Sequence, residues 1–530
     1  MRSNSQDLAG DYARQEIFCR GAVIALLALT AVFVLAAAPV FPTQDGPVHL
    51  YYVDILRDLL RHAGPYAAHF ELKSFFTPYA LEYFTLLALE AVFPPALSEK
   101  LLICGYIFAF GFGFRYLLAS VAERNSPWTL VGIPFCMNAL VYKGFLNYSI
   151  CVALLLFLSG FWIRHGRQLR ARRITILLVL LIFMMFTHPV PVAIFLLFIG
   201  LHFSADLALA TAAGPELWLP SLRERRGPLA MIAVMAVTSA VWVSMFMNHS
   251  QHASPAASNA AQHGWVYTVT SALKLWGLSP FNSPAYRGGL LILLAITGLA
   301  GLAGVWRHKG RPSSSVIAMS ATSAICFALF CFAPFFVNGS GFFNSRFGMP
   351  WIVFFVAAIA ALHPPPRWSF AAGVIALCVT IALLSSQCRN VSRIAREITP
   401  ALSAPVAKSG SVGLIVGEKN SHPDWAFDPF LWSGVHYFRR SKAILANMPW
   451  TNLPIIMIRP VPPDRWSYLD PSPAGSSFWA ALNERDPVPE LSFLVVDGSS
   501  DLVMEDVMTG AHWVPLPQSS SEIRIFARRQ

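Results

Sequence analysis

The chain has 530 residues and a net charge of +11, and it is 55% hydrophobic with only 13% charged residues. A soluble protein of this length carries charge nearer ~25%, so the composition excludes an ordinary soluble enzyme and describes a polytopic membrane protein. Most basic residues fall in short runs between apolar segments, where they act as topology signals and give no nucleic-acid-binding face.

Met1–Arg20 is polar and carries Arg2, Arg14 and Arg20, which places it in the cytoplasm by the positive-inside rule. Cys19–Val40 follows as an apolar run of the ~20 residues that a span needs. It is longer than a secretory signal and lacks a convincing cleavage site, so it is expected to stay as an anchor. Asp45 and His49 then sit where the chain leaves the bilayer. From Leu50 the apolar residues Leu50, Val53, Leu56 and Leu60 share one side, with Asp54, Arg57, Asp58 and Arg61 on the other. That pattern predicts an amphipathic helix to Ala63, lying in the membrane interface. Asp45 is either the cap of this helix, with Gly46 and Pro47 in its first turn, or a chemical group held at the membrane surface.

Phe75–Phe93 could be a short span, but parity argues against it. The most basic loop, Arg164–Arg173, belongs in the cytoplasm, and Ser98–Val121, Trp128–Tyr142 and Phe145–Ile163 already supply three crossings to reach it. Thr77–Phe93, with Glu82 and Glu90, is therefore expected to be a second interfacial or re-entrant piece. Ile174–Phe186 leads out to His188 and Pro189, and Val190–Leu209 returns. Pro228–Met247, Gly288–Val305, Val316–Phe336, Pro350–Leu362 and Ser369–Ser386 complete about eleven crossings. The loop Asn248–Arg287 could hold an interfacial helix near Trp265–Trp276 and act as a lid over a cavity.

From Arg389 proline, charged and aromatic residues increase and no run is long enough to span. Val412–Val416, Ser492–Val496 and Glu522–Phe526 read as short strands. The expected organisation is an all-α polytopic bundle over 1–387, with a first extracytoplasmic loop at 41–97, followed by a soluble extracytoplasmic α/β domain at 388–530. The eight cysteines are scattered, mostly in apolar segments, and form neither a disulfide framework nor a zinc site. His249, His252 and His263 match no tight ligand spacing. The aromatic stretch His422–Phe438 is read as packed core or docking face, with sugar stacking on Trp425 or Trp432 as the alternative.

This layout resembles the GT-C class of integral membrane glycosyltransferases. The resemblance rests on Thr43-Gln44-Asp45-Gly46-Pro47-Val48-His49 after the first helix, on the turn Lys143-Gly144-Phe145-Leu146-Asn147-Tyr148, and on the bundle Cys19–Ser386. One departure is that Asp45 is followed by glycine where many members carry a paired acid, which leaves His49 and Asp54 as the nearest polar partners. The resemblance implies a sugar donor on a polyprenyl phosphate and a glycan, lipid or protein acceptor at the outer face of a bacterial inner membrane. It implies an inverting mechanism with Asp45 as general base and His49 beside it. Arg346 or Lys143 would hold the departing phosphate, and His188 and Glu82 would line the site. A divalent cation is left open as cofactor. The competing readings are a lipid or glycan transporter and a non-catalytic assembly protein. Against transport, no inverted repeat is evident and few charges lie deep in the spans.

Overall fold

The computed structural model describes residues 3–122, 126–212, 214, 217–249, 270, 275, 277–307, 311–334, 341–403, 407–417, 430, 432–446, 457–461, 491–497, 513–515 and 523–528. The expected helix near Trp265–Trp276 lies largely outside these residues, as do His252, His263 and Trp425. In chain order the helices are α1 (Ser3–Ala36), α2 (Gly46–Arg61), α3 (Ala80–Glu90), α4 (Pro95–Leu118), α5 (Ser126–Gly132), α6 (Ala139–Tyr142), α7 (Leu146–His165) and α8 (Ala171–Met185). They continue with α9 (Pro189–Thr211), α10 (Trp218–Glu224), α11 (Arg226–His249), α12 (Pro284–Arg307), α13 (Ser314–Phe332), α14 (Gly348–Ala361), α15 (Pro366–Ser403) and α16 (Val435–Ser441). The strands are β1 (Phe70–Leu72), β2 (Val412–Gly417), β3 (Ile444–Leu445), β4 (Ile458–Pro460), β5 (Leu491–Asp497), β6 (Trp513–Pro515) and β7 (Ile523–Arg528).

Among the described residues nine helices are long and apolar enough to cross a membrane, against the eleven crossings expected. The two shortfalls have local causes. Trp128–Tyr142 is broken into α5, a 3-10 turn at Ile133–Phe135 and α6. Pro134 removes a backbone donor there, and the Asn138 carboxamide accepts from Leu140 N at 2.9 Å, restarting the chain as α6. The other, α8, is a regular helix of 15 residues, short of the ~20 that span a bilayer. At 11 residues, α3 is also too short to cross, in line with its reading as a non-spanning piece.

The chain divides into two compact units. The first comprises Met1–Phe33, Ile103–Leu140 and Leu146–Ser386. Its centre is α13 packed on α14 and α9, with α9 against α7. Phe198 stacks on Phe354 at 5.1 Å between ring centroids. Val234, Val237, Leu299 and Leu302 on α11 and α12 are exposed, the pattern of helices that meet lipid on one side, where hydrocarbon replaces water as solvent and apolar exposure costs nothing.

The second unit comprises Val34–Leu102, Val141–Phe145 and Gln387–Gln530. A five-stranded sheet in the order β3-β2-β5-β7-β6 pairs β2 in parallel with β3 and β5, and β7 antiparallel with β5 and β6. Separately, β1 pairs antiparallel with β4, Phe70 opposite Pro460. Of the three strands expected from the sequence, Val412–Val416 and Ser492–Val496 fall within β2 and β5, and Glu522–Phe526 overlaps β7 from Ile523. In this unit α2 differs from the interfacial reading, because its apolar residues Leu50, Val53 and Leu56 are buried in protein, among α3, α16, β1 and the 3-10 turn Tyr66–Ala68. Tyr51 is fully buried, and its hydroxyl donates to Ala443 O at 3.0 Å and accepts from Leu445 N at 2.9 Å. It thereby satisfies backbone groups beside the edge strand β3.

The charged side of α2 is equally committed. Asp54 takes Arg57 at 3.0 Å and Arg439 at 2.7 Å, while Glu90, its side chain fully buried, takes Arg57 and also Arg439 at 3.5 Å. Asp54 is therefore a structural ion-pair partner and not the companion of Asp45 expected from the sequence. Arg439→Ala should cost about 2 kcal/mol in thermal or denaturant unfolding, between the ~3–5 of a buried pair and the ≤1 of an exposed one. Burial raises the Glu90 carboxyl and Arg439 pulls it back. A raised folded value means stability is lost as pH rises through it, so the deficit of Arg439→Ala should widen toward alkaline pH. A pH-independent deficit would assign the loss to packing alone.

Candidate active site

The residues expected to form the site divide between the units. Asp45, His49, Lys143 and Glu82 belong to the second, and Arg346 and His188 to the first.

Asp45 occupies the N-cap position of α2, with φ −95° and ψ −13°, yet its carboxylate makes no capping hydrogen bond. Val48 N and His49 N instead donate to its backbone carbonyl at 3.0 and 3.1 Å. The segment is held by a short ladder to the Lys143 turn, in which Gln44 N donates to Tyr142 O at 2.9 Å and Asp45 N to Lys143 O at 3.0 Å. Gly144 makes this approach feasible. Its φ is +86°, and a Cβ there would stand 2.8 Å from Gly46 N and 3.1 Å from Asp45 Cβ. The Gln44 carboxamide bridges the two charges, accepting from Lys143 Nζ at 3.2 Å and donating to Asp45 Oδ1 at 3.3 Å.

Asp45 is 4% exposed. Burial pushes its carboxyl up to about 7, against the opposing pull of Lys143 and the Gln44 amide. A carboxylate near its midpoint at neutral pH can both take and release a proton, which is what a general base requires. His49 Nδ1 lies 3.2 Å from the Tyr83 hydroxyl, and burial lowers the imidazole to about 4, so it is neutral at pH 7. Burial raises the Tyr83 phenol well above its ordinary value, with Tyr52 next and smaller contributions from Glu82 and Asp45. Glu82 itself is buried on α3.

The glycine after Asp45 has a steric cause. A Cβ at Gly46 would fall 1.9 Å from Glu99 Oε1 and 2.0 Å from Thr43 Oγ1. The second acid at the motif is thus Glu99, supplied by α4 and accepting the Thr43 hydroxyl. Sequence reading missed it, although Glu99-Lys100 is a charged pair near the start of an apolar segment and was a visible signal.

In the first unit Arg346 sits buried on a 3-10 turn, Asn344–Phe347, that leads directly into α14. The Tyr148 hydroxyl donates to the Arg346 carbonyl, and Asn344 Nδ2 to Phe330 O at 3.2 Å. His188 is the N-cap of α9, its Nδ1 accepting from Val190 N at 3.2 Å, with its ring edge-on to Tyr148 at 5.4 Å. Burial first, and the Arg346 charge second, hold its imidazole well below the ordinary histidine range. His188 is therefore a neutral cap beside a buried guanidinium. Among the described residues no three His, Cys, Asp or Glu side chains gather into a metal-holding group.

No family model matches the sequence, and no curated protein matches it. Solved structures do. The crystal structure of ArnT from Cupriavidus metallidurans bound to undecaprenyl phosphate is 10% identical, with 96% of this chain and 98% of that chain covered at a TM-score of 0.51. A cryo-EM structure of the mycobacterial arabinofuranosyltransferase AftD is 13% identical, with 96% of this chain but 41% of that one covered at a TM-score of 0.47. The chain thus shares its fold with the ArnT structure over nearly the whole length of both.

Proposed function

We propose that the protein transfers a sugar from a polyprenyl-phosphate donor to an acceptor hydroxyl, with Asp45 as general base. The observation that carries this reading is Asp45 itself, a carboxylate at the end of the first span, buried, raised toward neutrality and spared from capping its own helix. In the reaction the acceptor oxygen attacks the anomeric carbon, its proton passes to Asp45, and the bond from that carbon to the phosphate oxygen breaks with inversion. The leaving polyprenyl phosphate gathers negative charge, which a fixed cation stabilises, and Arg346 is the buried guanidinium that the sequence offers for that role. Lys143 donates to Gln44, and its charge pulls against the rise of the Asp45 carboxyl, so its role in this reading is to support Asp45. The match to a fold whose solved example holds undecaprenyl phosphate supports the donor class.

The test is purified protein in lipid with a panel of polyprenyl-phosphate sugars and an envelope lipid and glycan extract as acceptor, scored by release of free polyprenyl phosphate. Protein-dependent release is expected with at least one donor. Flipping of these lipids without any release would favour the transporter.

The reading also requires Asp45 on the outer face, at the cytoplasmic membrane. In a background lacking the exposed Cys378 and Cys388, cysteines placed at the exposed positions Ala63 and Ser409 should react with a membrane-impermeant thiol reagent in intact cells. One at Gln168, exposed in the most basic loop, should not. The reverse pattern would remove an outer-face reaction.

A further inference from the structure

Adjacent residues at the start of α4 hold both ends of the segment that delivers Asp45. Lys100 Nζ donates to the carbonyls of Ala37 and, at 3.5 Å, of Leu35. Glu99 accepts the hydroxyl of Thr43, and its Oε1 fills the space over the face of Gly46. Glu99 is 1% exposed and Lys100 7%. Burying a carboxylate and an ammonium is costly, and an apolar pair of similar volume would avoid that cost. Both side chains are directed at residues 35–46, the stretch between the first span and α2. Charged side chains this deep at the start of a span point to a functional demand.

We propose that Glu99 and Lys100 are positioning residues for Asp45, acting through Thr43 and the Leu35 and Ala37 carbonyls to fix its carboxylate against the acceptor hydroxyl. The proposal rests on Asp45 being the base. A misplacement of about 1 Å at a reacting group costs on the order of 10²-fold in rate, so loosening this segment should lower kcat and leave donor binding largely intact.

The experiment compares Thr43→Val, Thr43→Ser, Glu99→Gln and Lys100→Met with wild type and Asp45→Asn, in full-length protein, by kcat and donor KM across pH. Thr43→Val is nearly isosteric but cannot donate, and should lose about 10–100-fold in kcat with donor KM within about threefold. Thr43→Ser restores the donor and should recover to within about threefold of wild type. Glu99→Gln keeps an oxygen for Thr43 to donate to, and should fall between them. Lys100→Met should behave like Thr43→Val. In the impaired variants the acid limb of kcat should move below its wild-type position, because a displaced Asp45 is better hydrated. If Asp45→Asn is inactive while Thr43→Val and Lys100→Met keep wild-type kcat and the same limb, the positioning role is overturned and the base reading survives. Wild-type transfer by Asp45→Asn would overturn both. Should Thr43→Val fail to fold, Glu99→Gln and Lys100→Met decide by the same readouts.

Discussion

Asp45→Asn is expected to insert, fold and melt like wild type while transferring sugar about 10²–10⁴-fold more slowly, the usual worth of a general base. The stability half of this expectation follows from geometry. The wild-type carboxylate makes no capping bond to α2, so asparagine forfeits none. The Gln44 amide that donates to Oδ1 at 3.3 Å can donate to the asparagine oxygen instead. Linkage points the same way. The Asp45 carboxyl is raised from its ordinary value to about 7, so its contribution to stability is present below the unfolded value and lost as pH rises through 7. Asparagine carries no such loss, and above neutrality the variant should be at least as stable as wild type. The catalytic half has its own signature. Wild-type kcat should rise with pH through about 7 as the carboxylate forms, and the residual activity of Asp45→Asn should lack that limb. Asp45→Glu should recover little, because the extra methylene shifts the carboxylate in a site fixed by the Gly144 and Gly46 contacts. If Asp45→Asn keeps the wild-type rate in a well-folded protein, the base must be sought at Glu82 or His188.

What the sequence revealed and what it hid divide along a physical line. Apolar runs specify spans because the bilayer demands internally bonded backbone over a known length, and so most of the helices lie close to where they were expected. Short strand-forming runs specified three of the five strands of the C-terminal sheet. Side-chain partnership is another matter. The charges on α2 at Asp54 and Arg57 read as a solvated interfacial face, since nothing local reveals that Arg439, 385 positions on, will meet Asp54. Glu90, expected on an interfacial or re-entrant piece, is buried between two arginines that no local pattern announces. Asp45 was legible because it follows a span and precedes an amphipathic run. Tyr83 was not, and Glu99 showed only as a charge near the start of an apolar segment, because they meet His49 and Gly46 from separate helices and only the fold brings them there.

Arg346→Ala is the second large effect expected, a fall of about 10²–10³-fold in kcat, typical of losing one donor to developing charge in a water-poor site. A headgroup anchor at a helix end would be exposed and mobile. Arg346 is instead 4% exposed on a turn fixed from several sides. Tyr148 bonds its carbonyl, Asn344 bonds Phe330, and Gly277 lies so close to Ser345 that a Cβ there would come within 2.7 Å. Truncating a buried guanidinium also removes its packing and partners, so Arg346→Ala is expected to melt below wild type, and the rates are compared at a temperature where both proteins are folded. Arg346→Lys should recover only part of the rate, since a point charge lacks the planar fork that meets two phosphate oxygens. His188 gives an independent readout. Part of its depression comes from the Arg346 charge, so its imidazole should titrate at higher pH in Arg346→Ala than in Arg346→Lys when followed by NMR. Wild-type transfer rates in both variants, with the His188 shift still seen, would leave Arg346 as a buried structural cation and assign the leaving phosphate to another group.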